Sequence, residues 1–417
     1  MKILFLTDNF PPEGNAPATR TYEHAIRWVK AGHQVTVITG APNFPEGKVF
    51  EGYKNAWYHR SDMDGIEVIR VKTYITSNEG FARRILDYMS FMVSGFLVGL
   101  IQKKPDIIVA TSPQFFNAVG GWALSAVRRK PFVFELRDIW PASITAVGAM
   151  KESLLIKWLE KLEMFLYRRA DTIISVTQSF KQELIARGIN GDKIEVVLNG
   201  VDLARYAPVQ EKDTEWAERY QLRDKFVVGY VGTHGMAHAL EKLVDAAVSL
   251  QDRDDIRFLF AGGGAAREQL EAYVNQKQLN NIVLIERQPK ELMPQLWSLC
   301  DVSLVHLKDS ELFRTVIPSK IFESMGMGIP MIIGVPKGEA TQIVAATQSG
   351  LVVKPESPQD IADAVLTLAD NTALYAALKQ NSLQAASLYS RDALADDMLK
   401  VLDLTLERAP KALQPLG

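Results

Sequence analysis

The chain of 417 residues has one cysteine, Cys300. That excludes an intramolecular disulfide framework and any metal site built from several thiolates. It fits a reducing compartment, so a cytoplasmic protein is expected. Neither charge is in excess: 47 Lys and Arg stand against 49 Asp and Glu, for a net charge of −2. No bulk positive field favours nucleic acid, and any polyanion site must be local. Of the six histidines, only His234 and His238 stand at His-x-x-x-His spacing, in a glycine turn and not on a helical pattern, and no metal cofactor is expected. Asp62-Met63-Asp64 imitates a metal-binding Asp-x-Asp, but Gly65 and a strand pattern follow, which reads as a hairpin turn. Long apolar runs are missing too. The run Ile3–Thr7 is too short for a signal peptide and reads as a buried first strand. The longest mostly apolar stretch, Tyr88–Ile101, falls short of the ~20 residues a spanning helix needs. Two readings of it stand: a buried or half-buried helix, or a monotopic membrane contact flanked by Arg83, Arg84, Lys103 and Lys104.

Hydrophobic residues at 47% and charged residues at 23% describe an ordinary globular chain. At about 150 residues per domain, its length predicts two or three domains. Short apolar runs at Ile3–Thr7, Val35–Thr39, Val68–Val71, Ile107–Thr111, Phe132–Leu136, Thr172–Val176 and Glu195–Leu198 alternate with helical patterns such as Thr19–Ala31 and Ser153–Arg169. Near-continuous apolar strands between helices predict a parallel sheet covered on both faces. The pattern restarts at Phe226–Val231 and continues through Ile256–Phe260, Ile282–Ile285, Val302–His306, Met331–Gly334 and Leu351–Val353. The charged stretch Gly200–Asp224 separates the two sets. The reading is therefore α/β: a domain of residues 1–205, a second of residues 206–385, and a helical segment of residues 386–417 expected to cross back to the first.

Ligands of doubly wound sheets bind at the carboxyl ends of the strands, so the loops there carry the candidates. After the first strand, Gly14 permits close backbone approach, and Arg20 on the following helix is placed to reach a phosphate; an ordinary Pro-rich turn with a solvated arginine is the alternative. The loop is no Gly-x-Gly-x-x-Gly dinucleotide fingerprint. After Phe132–Leu136 comes Arg137-Asp138-Ile139-Trp140-Pro141, an adjacent base and acid suited to a site loop, or else an ion pair fixing a turn. Gly232-Thr233-His234-Gly235 and Ala261-Gly262-Gly263-Gly264 are strand-to-helix turns able to form anion nests. The segment Arg314 to Pro330 is the most informative. Pro318 is expected to open a helix, Lys320 lies near its N-terminus, and Glu323 is an acceptor suited to sugar hydroxyls.

These residues resemble the GT4-type retaining glycosyltransferases. The resemblance spans about Lys2 to Leu402 and implies the GT-B fold: two Rossmann-like domains with parallel sheets facing a central cleft. The family's E-x7-E element reads Thr315-Val316-Ile317-Pro318-Ser319-Lys320-Ile321-Phe322-Glu323, with Pro318 and Glu323 matching and Thr315 in place of the first glutamate. Asn199-Gly200-Val201-Asp202 matches the family's N-G-V-D, and Gly14 matches its opening loop in part. The family's Arg and Lys for the nucleotide diphosphate fall at Thr233 and His238, and a family histidine at Arg137. Arg137 to Ser143, with Val147-Gly148 and Ile317-Pro318-Ser319-Lys320, is similar to the bacterial O-antigen and capsule L-fucosamine transferases.

The resemblance implies a hexosyltransferase-type enzyme that moves a sugar, N-acetyl-L-fucosamine or another N-acetylated sugar, from a UDP-sugar to a polyprenyl-linked or other glycan acceptor. The candidate catalytic residues are Asp138, Arg137 and Lys320. The candidate donor-binding residues are Gly14, Arg20, Gly232, Thr233, His238, Gly263, Arg287, Arg314, Thr315, Ile317, Pro318, Ser319 and Glu323. No metal cofactor is expected, and no nucleic acid partner. A polyprenyl-linked acceptor would bring the first domain to the inner face of the cytoplasmic membrane, through Phe81–Lys104 or through Lys151–Arg169, where Leu154, Leu155, Trp158, Leu162 and Phe165 recur at helical spacing. Two other readings share the architecture: a non-hydrolysing UDP-sugar 2-epimerase, and a catalytically inactive sugar-nucleotide binding subunit.

Overall fold

The computed structural model describes residues 1–44, 46–76, 81–112, 114–139 and 154–409. Its chain divides into two compact units, Met1–Asn199 with Arg391–Gly417, and Gly200–Ser390. The expected loop residues Trp140, Pro141, Ala142, Ser143, Val147 and Gly148, and the helix start at Lys151 and Ser153, lie outside the described residues.

The first unit is built on eight strands: β1 (Lys2–Leu6), β2 (Gln34–Thr39), β3 (Tyr58–Met63), β4 (Ile66–Val71), β5 (Ile107–Thr111), β6 (Phe132–Leu136), β7 (Thr172–Ser175) and β8 (Ile194–Val196). They lie in the order β3-β4-β2-β1-β5-β6-β7-β8, parallel except for the β3–β4 hairpin. Strand order reverses at β1, which pairs with β2 on one side and β5 on the other. Successive β1 side chains enter different cores: Leu4 and Leu6 pack on one face, Ile3 and Phe5 on the other. That two-faced burial is why the strand reads as an unbroken apolar run.

Helix Ala16–Lys30 starts where the Asn15 carboxamide oxygen accepts from Ala18 N at 2.9 Å. Its Trp28 donates from Nε1 to the Ala395 carbonyl at 2.8 Å. Ala395 belongs to the C-terminal helix Arg391–Arg408, whose Leu394, Met398 and Leu402 complete the core around Phe5 and Trp28.

Helix Phe81–Ile101 is half-buried, as the first reading of its sequence expects, with one face on the core and the other exposed. Phe91 is fully buried, and Tyr88, Met92 and Phe96 pack on the core beside it, while Leu86, Met89, Val93, Leu97 and Ile101 are exposed. No helix among the described residues is long and apolar enough to cross a membrane. In helix Leu154–Arg169, Leu159 and Leu166 are buried and Leu162 and Phe165 pack on the core, leaving Trp158 exposed.

The hairpin at Asp62-Met63-Asp64-Gly65 forms as read. Asp64 and Gly65 both take positive φ, and Asp62 Oδ1 accepts from Gly65 N at 3.1 Å.

The second unit has six parallel strands in the order β11-β10-β9-β12-β13-β14: β9 (Phe226–Val231), β10 (Ile256–Ala261), β11 (Ile282–Ile285), β12 (Val302–His306), β13 (Met331–Gly334) and β14 (Gly350–Val352). Its switch point lies between β9 and β12, which pair with each other.

Candidate active site

The carboxyl end of β6 in the first unit carries Arg137 and Asp138. Ser112, buried just beyond β5, holds the loop: its Oγ accepts from Arg137 N at 2.7 Å and from Asp138 N at 3.3 Å. Asp138 is half-buried. The Arg137 guanidinium has a buried Nη1 with no hydrogen-bond partner among the described residues. Burial pushes its proton affinity down to about 10 against the pull of Glu135, and the positive charges of Arg20 and Arg391 act in the same direction as burial. Burial pushes the Glu135 carboxyl up, but Arg20 and Arg137 outweigh it and hold the group below its usual range. This end of the sheet therefore sets two arginines, Arg20 and Arg137, against one fully buried carboxylate.

Arg20 corrects the expectation placed on it. Its Nε donates to Glu135 Oε1 at 2.9 Å, Nη1 to the Leu198 carbonyl at 2.7 Å and to Asn199 Oδ1 at 3.1 Å, and Nη2 to the Val197 carbonyl at 3.0 Å. The side chain is 5% exposed. The guanidinium ties the end of β8 to β6 instead of facing a phosphate. Gly14 is exposed and open.

In the second unit the loops after β9 and β10 interlock. A Cβ on Gly262 would meet the Gly232 carbonyl oxygen at 1.8 Å, and one on Gly264 would meet the His234 oxygen at 2.6 Å; both glycines have positive φ. The backbones also bond directly: Gly232 N to the Ala261 carbonyl at 2.9 Å, His234 N to the Gly263 carbonyl at 2.9 Å, and Gly262 N to the Ile285 carbonyl at 3.1 Å. This corrects the anion-nest reading at Gly232. The glycines are there for close backbone approach, and these N–H groups already have carbonyl partners. Thr233 is exposed, Gly263 lies beside the Cβ of exposed Arg287, and His238 Nδ1 lies 3.2 Å from both Gly235 N and its carbonyl.

Helix Lys320–Met327 begins two residues later than the proline suggested. Ile321 N bonds to Pro318 O and Phe322 N to Ser319 O, so a tighter i+3 turn precedes the regular helix. Pro318 sets the entry and Lys320 is the first helical residue. Its amine is the distinctive feature of this unit. The residue is 9% exposed, and Nζ sits 3.4 Å from the centre of the Tyr230 ring with no hydrogen-bond partner among the described residues. Gly232 is adjacent: a Cβ there would lie 3.4 Å from Nζ. Burial pushes the amine down to about 7, against the pull of Glu323. One turn along, Glu323 Oε2 accepts from Trp297 Nε1 at 3.2 Å. Arg314 is exposed and paired with Glu311 at 3.1 Å; Thr315, Ile317 and Pro318 are half-buried, and Ser319 is exposed.

Two residues of this cluster escaped selection from the sequence. Tyr230 reads as an ordinary strand core residue. His234 stands inside a glycine turn, yet it is fully buried with both ring nitrogens unpartnered among the described residues. A polar residue at a strand's carboxyl end was the available signal.

The Glycosyltransferase Family 4 model matches residues 17–205, and the Glycosyl transferases group 1 model matches residues 212–385. The chain belongs to the GT4-type glycosyltransferases. A putative colanic acid biosynthesis glycosyl transferase of Escherichia coli, WcaI, is 27% identical over 368 residues, covering 86% of this chain and 89% of the relative. A Campylobacter jejuni N-acetylgalactosaminyltransferase, acting on N-acetylgalactosamine-N,N'-diacetylbacillosaminyl-diphospho-undecaprenol, is 24% identical over 60% of this chain and 64% of its own length. Among solved structures, Anabaena Alr3699/HepE in complex with UDP superposes at a TM-score of 0.70 with 17% identity, covering 97% of this glycosyltransferase and 100% of that chain. The likeness establishes the GT-B fold.

Proposed function

We propose that this glycosyltransferase moves a sugar from a UDP-sugar, with retention at the anomeric carbon, to a lipid-linked or other glycan acceptor in bacterial surface polysaccharide synthesis. The observation that carries it is Lys320, a buried basic side chain with no counter-ion among the described residues at the carboxyl end of β9. An uncompensated ammonium in that position calls for an anion. Breaking the bond between sugar and diphosphate builds negative charge on the leaving phosphate, and a cation held beside it stabilises it. In this reading Lys320 holds the leaving phosphate, with Arg137 and Arg314 as further cations. Glu323 holds the ribose hydroxyls. Asp138 orients the acceptor or the donor sugar, or accepts a proton. Thr233, His238, Gly263, Arg287 and the segment Thr315–Ser319 line the donor. No metal takes part, so activity should survive EDTA.

Three likenesses support this. The Anabaena neighbour is solved with UDP and with UDP-glucose, the Escherichia coli relative is named for colanic acid synthesis, and the Campylobacter relative acts on an undecaprenol-linked glycan. N-acetyl-L-fucosamine or another N-acetylated sugar is the donor sugar proposed, in O-antigen or capsule assembly. We further propose that the enzyme works at the cytoplasmic face of the membrane, attached through the exposed stripe on helix Phe81–Ile101. A thermal-shift screen of UDP-sugars identifies the donor, since a ligand of the native state raises its stability. With that donor, Lys320→Ala should lower turnover about 10²–10³-fold, by analogy with loss of one oxyanion donor, while the fold stays intact by circular dichroism. Turnover close to the parent's would remove Lys320 from the mechanism.

A further inference from the structure

Resting on the donor reading above, one more property follows from what surrounds Lys320. Four elements bring titratable groups to it. From β9 comes the Tyr230 ring, whose hydroxyl donates to the Thr233 carbonyl at 2.9 Å. From the loop after β9 come His234 and His238, with ring centres 5.8 and 5.9 Å from that of Tyr230. From β12 comes His306. From its own helix comes Glu323, which accepts from Trp297. Helix Met293–Ser298, packed against that helix, carries no titratable side chain.

The tyrosine and the three histidines are held neutral. His306 Nδ1 donates to the His238 carbonyl at 2.7 Å, and its Nε2 accepts from Glu356 N at 3.0 Å, an arrangement that only the neutral ring satisfies. Burial pushes His234 down to about 4, with Arg267, Lys320 and His238 adding to the effect. Burial and Lys320 push His238 down against its bond to Gly235. Tyr230 keeps its proton because burial raises its affinity far above the usual range. Among the described residues no carboxylate touches Nζ; the ring face 3.4 Å from it and Glu323 one turn away favour the ammonium, and burial without a hydrogen-bond partner outweighs them. Such a subsite suits a neutral amine when empty and an ammonium when an anion is present.

We propose that the donor's diphosphate enters the Lys320 subsite together with a proton, which the amine lone pair takes from solvent as the phosphate oxygens become its counter-ion. The positive charge then exists while the nucleotide is bound and leaves with it. The cation that stabilises the leaving phosphate is created by binding, so the empty subsite never holds an unpaired charge. Departure of UDP returns the proton to solvent.

Calorimetric titration of UDP at about pH 8, in Hepes and in Tris, tests this, because the buffers' different ionisation heats report protons exchanged. The phosphates of UDP are themselves ionised there, their last pKa lying near ~6. The parent should take up most of one proton per UDP bound, and uridine, lacking the diphosphate, none. Lys320→Arg, permanently charged, should bind UDP without uptake. Lys320→Met should weaken UDP binding while leaving uridine binding unchanged. UDP binding by the parent without proton uptake, or equal uptake by the Lys320→Arg variant, overturns the inference and leaves the donor reading standing. Failure of the folded parent to bind UDP overturns the donor reading, and this inference with it.

Discussion

Removing the Arg20 guanidinium would leave Glu135 as a fully buried carboxylate with its closest ion-pair partner gone, and would free the Val197 and Leu198 carbonyls it binds. Breaking a buried pair from one side costs about 3–5 kcal/mol. Arg20→Met should therefore lower the denaturation midpoint strongly, and Arg20→Met with Glu135→Leu should recover part of the loss. A variant with parental stability but a raised donor KM would return Arg20 to the phosphate. Lys320 is the opposite case, since no counter-ion stands beside its buried amine among the described residues. Its amine takes a proton near 7 in the folded chain against 10.5 as the unperturbed value. The unfolded state holds the additional proton between those limits, so stability rises with pH across that window. Lys320→Met should consequently be more stable than the parent at pH 7, by roughly 3–5 kcal/mol at most, with the gap narrowing toward pH 10. A gap that does not change with pH would mean the amine is charged and hydrated throughout.

Helix Phe81–Ile101 shows how one element serves two surroundings. Its buried face is fixed by Phe91, and a Cβ added to Gly99 would strike Leu124 at 2.4 Å, so the helix lies close against helix Phe115–Arg128. Its other face leaves Leu86, Met89, Val93, Leu97 and Ile101 exposed at spacings of three and four, with exposed Arg83 before them and Lys103 and Lys104 after. An apolar stripe between cations matches an anionic lipid surface. The purified protein should float with anionic liposomes, and Val93→Glu with Leu97→Glu should abolish flotation while the melting temperature is unchanged. Absence of flotation by the parent would sink the membrane proposal. A different physical limit applies to β3. Its residues Tyr-His-Arg-Ser-Asp-Met are exposed or half-buried throughout, because it is an edge strand. Without an apolar face it leaves no period-two signal, and the sequence reading passed over it.

At the scale of the whole chain, the first unit is discontinuous. The last helix, Arg391–Arg408, belongs to it although the entire second unit intervenes. Arg27 holds Asp396 through two bonds at 3.0 Å, Thr172 and Thr405 share a hydroxyl bond at 2.8 Å, and Leu394, Met398 and Leu402 fill one face of the first core. Losing buried side chains of this size costs about 2–5 kcal/mol each, against a total stability of about 5–15 kcal/mol. A chain truncated after Ser390 should fail to accumulate as folded protein. A separately supplied Arg391–Arg408 peptide should partly restore it. A soluble, cooperatively melting truncated chain would show that the first unit does not need this helix.

The apolar strand runs and their alternation with helices determined the two α/β sheets without help, because a strand buried on both faces must be written in apolar residues. They marked the loops after β1, β6, β9 and β10 and the segment Arg314–Pro330 as the places for chemistry, because ligands of such sheets meet strand carboxyl ends. Only the tertiary structure decided what each loop cation does. Arg20 and Lys320 carry the same formal charge in the sequence, but one is met by Glu135 and two carbonyls and the other, among the described residues, by an aromatic ring and no counter-ion. Charge partners come from strands and loops far apart along the chain, so burial and pairing are set by which elements pack together. That pairing separates an arginine that holds the fold from a buried lysine left without a counter-ion among the described residues.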